Sequence, residues 1–241
     1  MHFPRVRVQT PYWIFLIWLI ESNIRIGSCI SNPGKFIAIG LNFSDHAIEQ
    51  NLPIPKEPII FSKATSSICG PFDDIIIPTN SQKLDWEVEI AFVVGKKTKN
   101  ILEKDSPEHI LGYCIVDDIS EREWQKEKGG QWIKGKSADT FWPIGPYLVT
   151  KDEIKDVQNL NMYLDVNKKR MQTGNTKKMI FNINFILSYL SNFMTLHPGD
   201  IVTTGTPPGV GDGKKPPIFL KKGDQMTLGI DSLGEQKHLV K

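Results

Sequence analysis

From Lys35 onward the chain is a succession of short apolar runs. "FIAIGL" at 36–41, "IIIP" at 75–78, "EIAFVVG" at 89–95, "YCIVDD" at 113–118, "YLVT" at 147–150 and "MYLDVN" at 162–167 are bounded by clusters of Gly, Pro, Asn and Asp. Runs of this length between turn residues predict strands. One stretch has a helical period instead: Ile183, Ile186, Leu187, Leu190, Phe193 and Met194 recur at spacings of three and four. That spacing predicts a core-packing helix between Asn182 and Leu196, capped by Asn182 or Asn184 and stopped by "HPGD". "KKGD" at 221–224 reads as a turn into a late strand, "QMTLGI". The elements add up to a β-rich α+β domain over residues 35–241, with no internal repeat.

The first 34 residues are patterned differently. Arg5 and Arg7 precede the apolar run "YWIFLIWLI" at 12–20, and no acid occurs before Glu21. This run is far short of the roughly 20 residues that span a bilayer, so no stable membrane span is expected. Its length suits a secretory signal, its basic start suits a transit peptide, and an edge strand is the third reading. Residues 1–34 are set apart as a leader or divergent N-terminal segment.

Composition narrows the function. The 241 residues, 40% hydrophobic and 23% charged, fit one large domain with a short appendage. Lys plus Arg number 29 against 27 Asp plus Glu, and a net charge of +2 gives no footprint for nucleic acid or an anionic membrane. Small polar or anionic substrates remain open. Cys29, Cys69 and Cys114 form no CxxC pair, which argues against a zinc site or disulfide framework and for a reduced, intracellular setting.

The candidate chemistry starts at "KLDWEVEI", 83–90, where Asp85, Glu87 and Glu89 alternate with Trp86, Val88 and Ile90. On a strand the acids share one face. That face either meets water or gathers around a cation. The continuous run "AFVVG" beyond it predicts a strand covered on both sides, and Asp117 and Asp118 end another apolar run. Buried carboxylates repel unless neutralised, and a hard divalent cation such as Mg²⁺ or Mn²⁺ does that with oxygen ligands.

In "GLNFSDHAIE", 40–49, a short helix capped by Ser44 or Asp45 would set His46 and Glu49 at i and i+3, where the carboxylate orients the imidazole as a base. A surface histidine beside an acid is the plain alternative. His109, His197 and His238 lack such a partner and are read as structural. Lys136 follows Gly135, which allows close backbone approach, and suits an anionic group or enolate; Lys134 reads as a solvated charge. "TTGTPPGVG", 203–211, offers hydroxyls and N–H groups to an anion or is simply a tight turn, and it is not a nucleotide P-loop.

"GLNFSDHAIE", "DWEVEIAFVVGKK", "DDISEREWQ", "GKSADTFWPIGP", "GNTKKMIF" and "HPGDIVTTGTPPGVG", in this order, resemble the fumarylacetoacetate hydrolase superfamily from Lys35 to Lys241. The resemblance implies a mixed β-roll with short flanking helices, a homodimer, and one Mg²⁺ or Mn²⁺ held by carboxylates. It implies Glu87, Glu89 and Asp118 as metal ligands, with Asp85 left as a flanking residue. His46 and Glu49 correspond to a catalytic dyad and Lys136 to a further catalytic group. Arg122, Gln125 and Thr206 correspond to substrate-side groups. Relatives carry Ala and Asp where this chain has Glu121 and Glu123, which is expected to add negative charge near the site. "VNKK" at 166–169 stands in place of an Asn-Gly turn.

The implied chemistry is that of an enzyme acting on small 2-oxo acids through an enolate that the metal stabilises. Oxaloacetate enol–keto tautomerisation is the first expectation. Acylpyruvate carbon–carbon hydrolysis and oxaloacetate decarboxylation are the alternatives, and a non-catalytic metal-binding protein is the remaining one. The expected location is mitochondrial, with a cytoplasmic one as the alternative.

Overall fold

The computed structural model describes residues 24–241. The apolar run at 12–20, and with it the reading of a leader, lies outside the described residues. The strands are β1 (Phe36–Gly40), β2 (Ile59–Ser62), β3 (Ile68–Cys69), β4 (Leu84–Asp85), β5 (Val88–Val94), β6 (Ile110–Asp117), β7 (Ser120–Glu121) and β8 (Trp142–Thr150), then β9 (Asn161–Val166), β10 (Lys169–Asn175), β11 (Ile201–Thr203), β12 (Gln225–Ile230) and β13 (Gly234–Leu239). The helices are α1 (Ser44–Glu49), α2 (Arg122–Lys126), α3 (Ile133–Lys136) and α4 (Ile183–Phe193).

A mixed seven-stranded sheet, ordered β2-β1-β11-β5-β6-β8-β3, carries the site, and an antiparallel sheet, β10-β9-β12-β13, packs beside it. β4 and β7 form a separate short ribbon. β5 is buried along its whole length. Its alternation divides the core: Val88, Ile90, Phe92 and Val94 face the larger cluster with Leu164 and Leu228, while Ala91 and Val93 face a smaller one with Phe36, Cys114, Val116 and Trp142. This is the β-rich α+β mixed roll that the sequence predicts.

Three local expectations change. The predicted strand at 83–90 breaks at Trp86 and Glu87, so β4 and β5 belong to different sheets. The long helix ends at Phe193, because Met194 is extended (φ −143°, ψ 158°), and its cap is Asn182, whose side chain accepts from the Phe185 N–H at 2.8 Å. That cap contributes about 1 kcal/mol. Ile183, Ile186, Leu187 and Leu190 are buried, each contributing roughly 1.5–3 kcal/mol. Neither Ser44 nor Asp45 caps α1: Phe43 holds the cap position without a side-chain bond, Ser44 donates to the Lys178 carbonyl, and Asp45 accepts from the next N–H.

Residues 24–34, set apart with the leader, are joined to the domain. Arg25 makes two hydrogen bonds to the Asp73 carboxylate at 2.7 and 2.6 Å, and Cys29 and Ile30 pack against the smaller cluster. Asn167 and Lys168, at φ 51° and 66°, form the turn between β9 and β10. A lysine thus stands where the Asn-Gly pattern puts a glycine.

Candidate active site

Strand register brings the acids together. β5 and β6 are antiparallel with Val88 opposite Asp117, so one further step sets Glu87 opposite Asp118. The Asp118 N–H donates to the Glu87 carbonyl at 2.9 Å, and the Glu87 N–H donates to Asp117 Oδ1 at 2.9 Å. Glu89 lies on the face that Ala91 continues, and the Gly205 N–H of the loop after β11 donates to its Oε2 at 3.0 Å. Glu87, Glu89 and Asp118 are all buried and each offers a carboxylate oxygen within 4.8 Å of the others.

Three buried cations surround this triad. Lys136 Nζ donates to Glu87 Oε2 at 2.6 Å and to Asp118 Oδ2 at 2.8 Å. Arg122 donates to Glu87 Oε1 at 2.6 Å, to Asp85 Oδ2 at 2.8 Å and to Gln125 Oε1 at 3.0 Å. Lys63 Nζ donates to Asp118 Oδ1 at 2.5 Å and to the Phe141 carbonyl at 2.7 Å. Burial disfavours the charge on Lys136, yet Asp118 and Glu87 outweigh it and hold the ammonium above the ordinary lysine value. At Lys63 burial prevails over Asp118 and the shift is downward. Burial also opposes the charge on Glu87, but Arg122 and Lys136 hold it below the usual range.

The donor set fits a hard divalent cation: three carboxylates, all oxygen, beside an open pocket. Among the described residues, Asp85, Glu87, Glu89, Asp117 and Asp118 are buried together with Lys63, Arg122 and Lys136 as the buried lysine and arginine partners. The deficit of positive charge is visible. Burial, then Asp118 and Glu87, push Glu89 well above the ordinary carboxylate value, and burial lifts Asp117 to about 7. A divalent cation would remove that deficit, and Glu87, Glu89 and Asp118 are the residues that would hold it.

Across the pocket His46 Nδ1 lies 3.0 Å from Glu49 Oε2. Glu49 also accepts the Gly209 N–H through both oxygens, at 2.9 and 3.0 Å. Burial raises its pKa, but the bonds from His46 and Gly209 prevail and hold it below the usual glutamate value. The loop after β11 therefore serves both halves of the site, Glu89 through Gly205 and Glu49 through Gly209.

A cavity of about 150 Å³ has His46, Glu87, Glu89, Asp118, Arg122, Gln125, Lys136 and Thr206 in its wall. Glu49 stands behind His46. The Thr206 hydroxyl donates to the Val88 carbonyl at 2.9 Å and accepts from Gln172 at 2.8 Å, so it braces β5. Asp85 accepts from the N–H groups of Trp86, Gly211 and Asp212 as well as from Arg122, which gives the flanking acid an anchoring position. The charge expected from Glu121 and Glu123 does not reach the cavity. Glu121 is buried on the N–H groups of Gln82, Lys83 and Glu123, and Glu123 pairs with Lys128. Sequence reasoning passed over Lys63 and Gln172, both isolated polar residues whose burial only the sheet reveals.

The family model for the fumarylacetoacetate (FAA) hydrolase C-terminal region matches residues 35–241. The chain belongs to the fumarylacetoacetate hydrolase family. It is 56% identical over 219 residues to a family relative in Burkholderia cenocepacia named "Putative hydrolase", covering 90% of this chain and 78% of that one. Two solved structures of the family are similar in fold and sequence. Fumarylacetoacetate hydrolase from Exiguobacterium antarcticum has TM-score 0.81 and 38% identity, covering 87% of this chain and 76% of its own. The 5-carboxymethyl-2-hydroxymuconate delta-isomerase of Mycobacterium smegmatis has TM-score 0.79 and 35% identity, covering 90% and 81%. Hydrolases and isomerases thus share this family's fold, and the chain is placed among enzymes of those classes.

Proposed function

We propose that this family member is a divalent-metal-dependent enzyme acting on small 2-oxo acids, with oxaloacetate enol–keto tautomerisation as its first reaction. The observation behind this reading is the pairing of a buried carboxylate triad with a His–Glu dyad around one cavity. Glu87, Glu89 and Asp118 would hold Mg²⁺ or Mn²⁺, which when bound would supply positive charge to the oxygens of a 2-oxo acid. His46, fixed through Nδ1 by Glu49, leaves Nε2 to carry the proton to or from C3. Lys136 and Arg122 stand beside the same carboxylates and receive the negative charge that develops on the enolate oxygen. Gln125 holds the Arg122 guanidinium at its angle.

The same residues suit a second reaction, in which the dyad directs water at a distal carbonyl and an acylpyruvate is cleaved. The apolar side of the cavity, with Ile59, Phe61 and Trp132, favours this alternative. The test is the ultraviolet decay of enol-oxaloacetate with and without chelator, alongside pyruvate release from acylpyruvates. Failure to turn over either substrate in excess Mg²⁺ removes the enzyme reading.

A homodimer belongs to the same proposal. β2 is an edge strand that exposes Ile59 and Ile60, the kind of edge proteins cover. Sedimentation at a single protomer mass would refute it. A mitochondrial location is also proposed, and import of the full chain into isolated mitochondria tests it. Among the described residues no helix is long and apolar enough to cross a membrane.

A further inference from the structure

The cavity has two unlike sides. One carries the carboxylates with Lys136 and Arg122; the other carries Ile59, Phe61 and Trp132. The indole of Trp132 meets the Phe61 ring edge-on, with centroids 5.2 Å apart and planes at 64°. The Phe61 ring in turn lies 5.3 Å from Lys136 Nζ, the ammonium that bridges Glu87 and Asp118. An unbroken aromatic wall therefore leads away from the charged end of the cavity.

Trp132 is held at this place by the chain. It occupies the N-cap position of α3, four residues before Lys136, so one short helix carries both the indole and the ammonium. The facing strand makes room for the ring at Gly40, where a Cβ would stand 2.5 Å from Trp132 Cζ3. Every cation in the cavity wall already has a carboxylate partner. Arg122 and Lys136 hold Glu87, and Lys126 at the rim holds Asp212 at 2.5 Å. A planar apolar group on C3 of a 2-oxo acid would meet Phe61 and Trp132 directly and leave those ion pairs in place.

We propose that Trp132, backed by Phe61, is a specificity-determining residue that admits, beside oxaloacetate, 2-oxo acids with a planar apolar group on C3. This rests on the reading of the site as a 2-oxo acid enzyme. Phenylpyruvate and oxaloacetate undergo the same enol–keto shift, a C3 proton against an enol O–H, and differ only in the group at issue. In Trp132→Ala the ratio of kcat/KM for enol-phenylpyruvate to that for enol-oxaloacetate falls by about tenfold or more, while Trp132→Phe keeps it within about threefold. A ratio unchanged within about twofold in Trp132→Ala overturns the assignment. Trp132→Gln serves if the alanine variant does not fold.

Calorimetric binding of phenylpyruvate in excess Mg²⁺ separates this inference from the wider reading. If no substrate is turned over, the proposed reaction fails, yet about a tenfold weaker Kd in Trp132→Ala still supports the wall. Equal affinities, or no binding to the unmodified protein, overturn it.

Discussion

Replacing Gly135 with alanine tests how closely the site depends on packing between two short helices. In a helix interior alanine is preferred to glycine by about 1 kcal/mol, so propensity alone predicts a gain, smaller in an α3 of four residues. The contacts predict the reverse. A Cβ at Gly135 would stand 2.5 Å from the Glu121 carbonyl oxygen, 2.6 Å from the Gln125 nitrogen and 2.7 Å from the Gln125 Cβ, where ordinary contact begins at 3.4 Å. Two of these atoms are backbone and cannot rotate away, so α3 must move by close to 0.9 Å, the difference between 2.5 and 3.4 Å. Overpacking of this kind costs about 1–3 kcal/mol, and with the propensity gain subtracted the expected loss is about 1–2 kcal/mol. For a domain of this size that lowers Tm by roughly 2–8 °C. Lys136, the next residue, moves with α3 away from Glu87 and Asp118. A displacement near 1 Å at a reacting centre lowers turnover by roughly a hundredfold. Differential scanning calorimetry and the enol-oxaloacetate assay measure the two effects separately. A variant that melts at or above the unmodified protein, with turnover within about twofold, would show that α2 and α3 are not in the close contact argued here.

Glu87→Gln removes one oxygen ligand and is expected to weaken Mg²⁺ binding by more than about a hundredfold in a calorimetric titration; unchanged affinity refutes the ligand assignment. In the unmodified protein, Mg²⁺ at 100 times its Kd should stabilise against urea by about 2.7 kcal/mol, and chelator should abolish the gain. Lys63→Met leaves Asp118 with Lys136 alone in a buried site, and a loss of about 3 kcal/mol is expected from urea melts; a loss below about 1 kcal/mol contradicts the pairing. Burial, followed by the charges of Asp73 and Asp117, pushes the Cys69 thiol up to about 12, so it stays protonated at pH 8. Iodoacetamide should therefore leave Cys69 unmodified in the folded protein, read by peptide mass spectrometry, and modify it in denaturant.

That acids gather at the ends of two strands was legible because two independent signals converged, alternating acids beside a doubly buried strand and an aspartate pair at the end of another apolar run; the choice of Glu87, Glu89 and Asp118 among them came from the family resemblance. What could not be read was the break at Trp86. Alternation continues through it in the sequence, while Asp85 turns to the N–H groups of Gly211 and Asp212, more than a hundred residues on. Lys63 was illegible for a related reason. Nothing local distinguishes a lysine after an edge strand from a solvated one, and its partner Asp118 is 55 residues away. Arg122 and Lys136 were expected to face substrate, and they do line the cavity, but sequence gave no indication that carboxylates already engage both. Glu121 misled because position beside the motif suggested exposure to the site, whereas its oxygens are occupied by backbone N–H groups. The helix was the easier case, since its period set the buried face, though the end at Phe193 depended on Leu196 being drawn into backbone hydrogen bonds with Thr98.

β11 lies parallel to β1 on one side and antiparallel to β5 on the other. These neighbours are made from residues 36–40 and 88–94, whereas β11 itself comes from 201–203. During synthesis both older strands therefore emerge with an open hydrogen-bonding edge, and the strand that closes them arrives last of the three. The loop that fastens Glu89 and Glu49 follows directly behind it. The active site is consequently a late product of translation: its acids are made early, but they are held in place only after the gap in the sheet is filled.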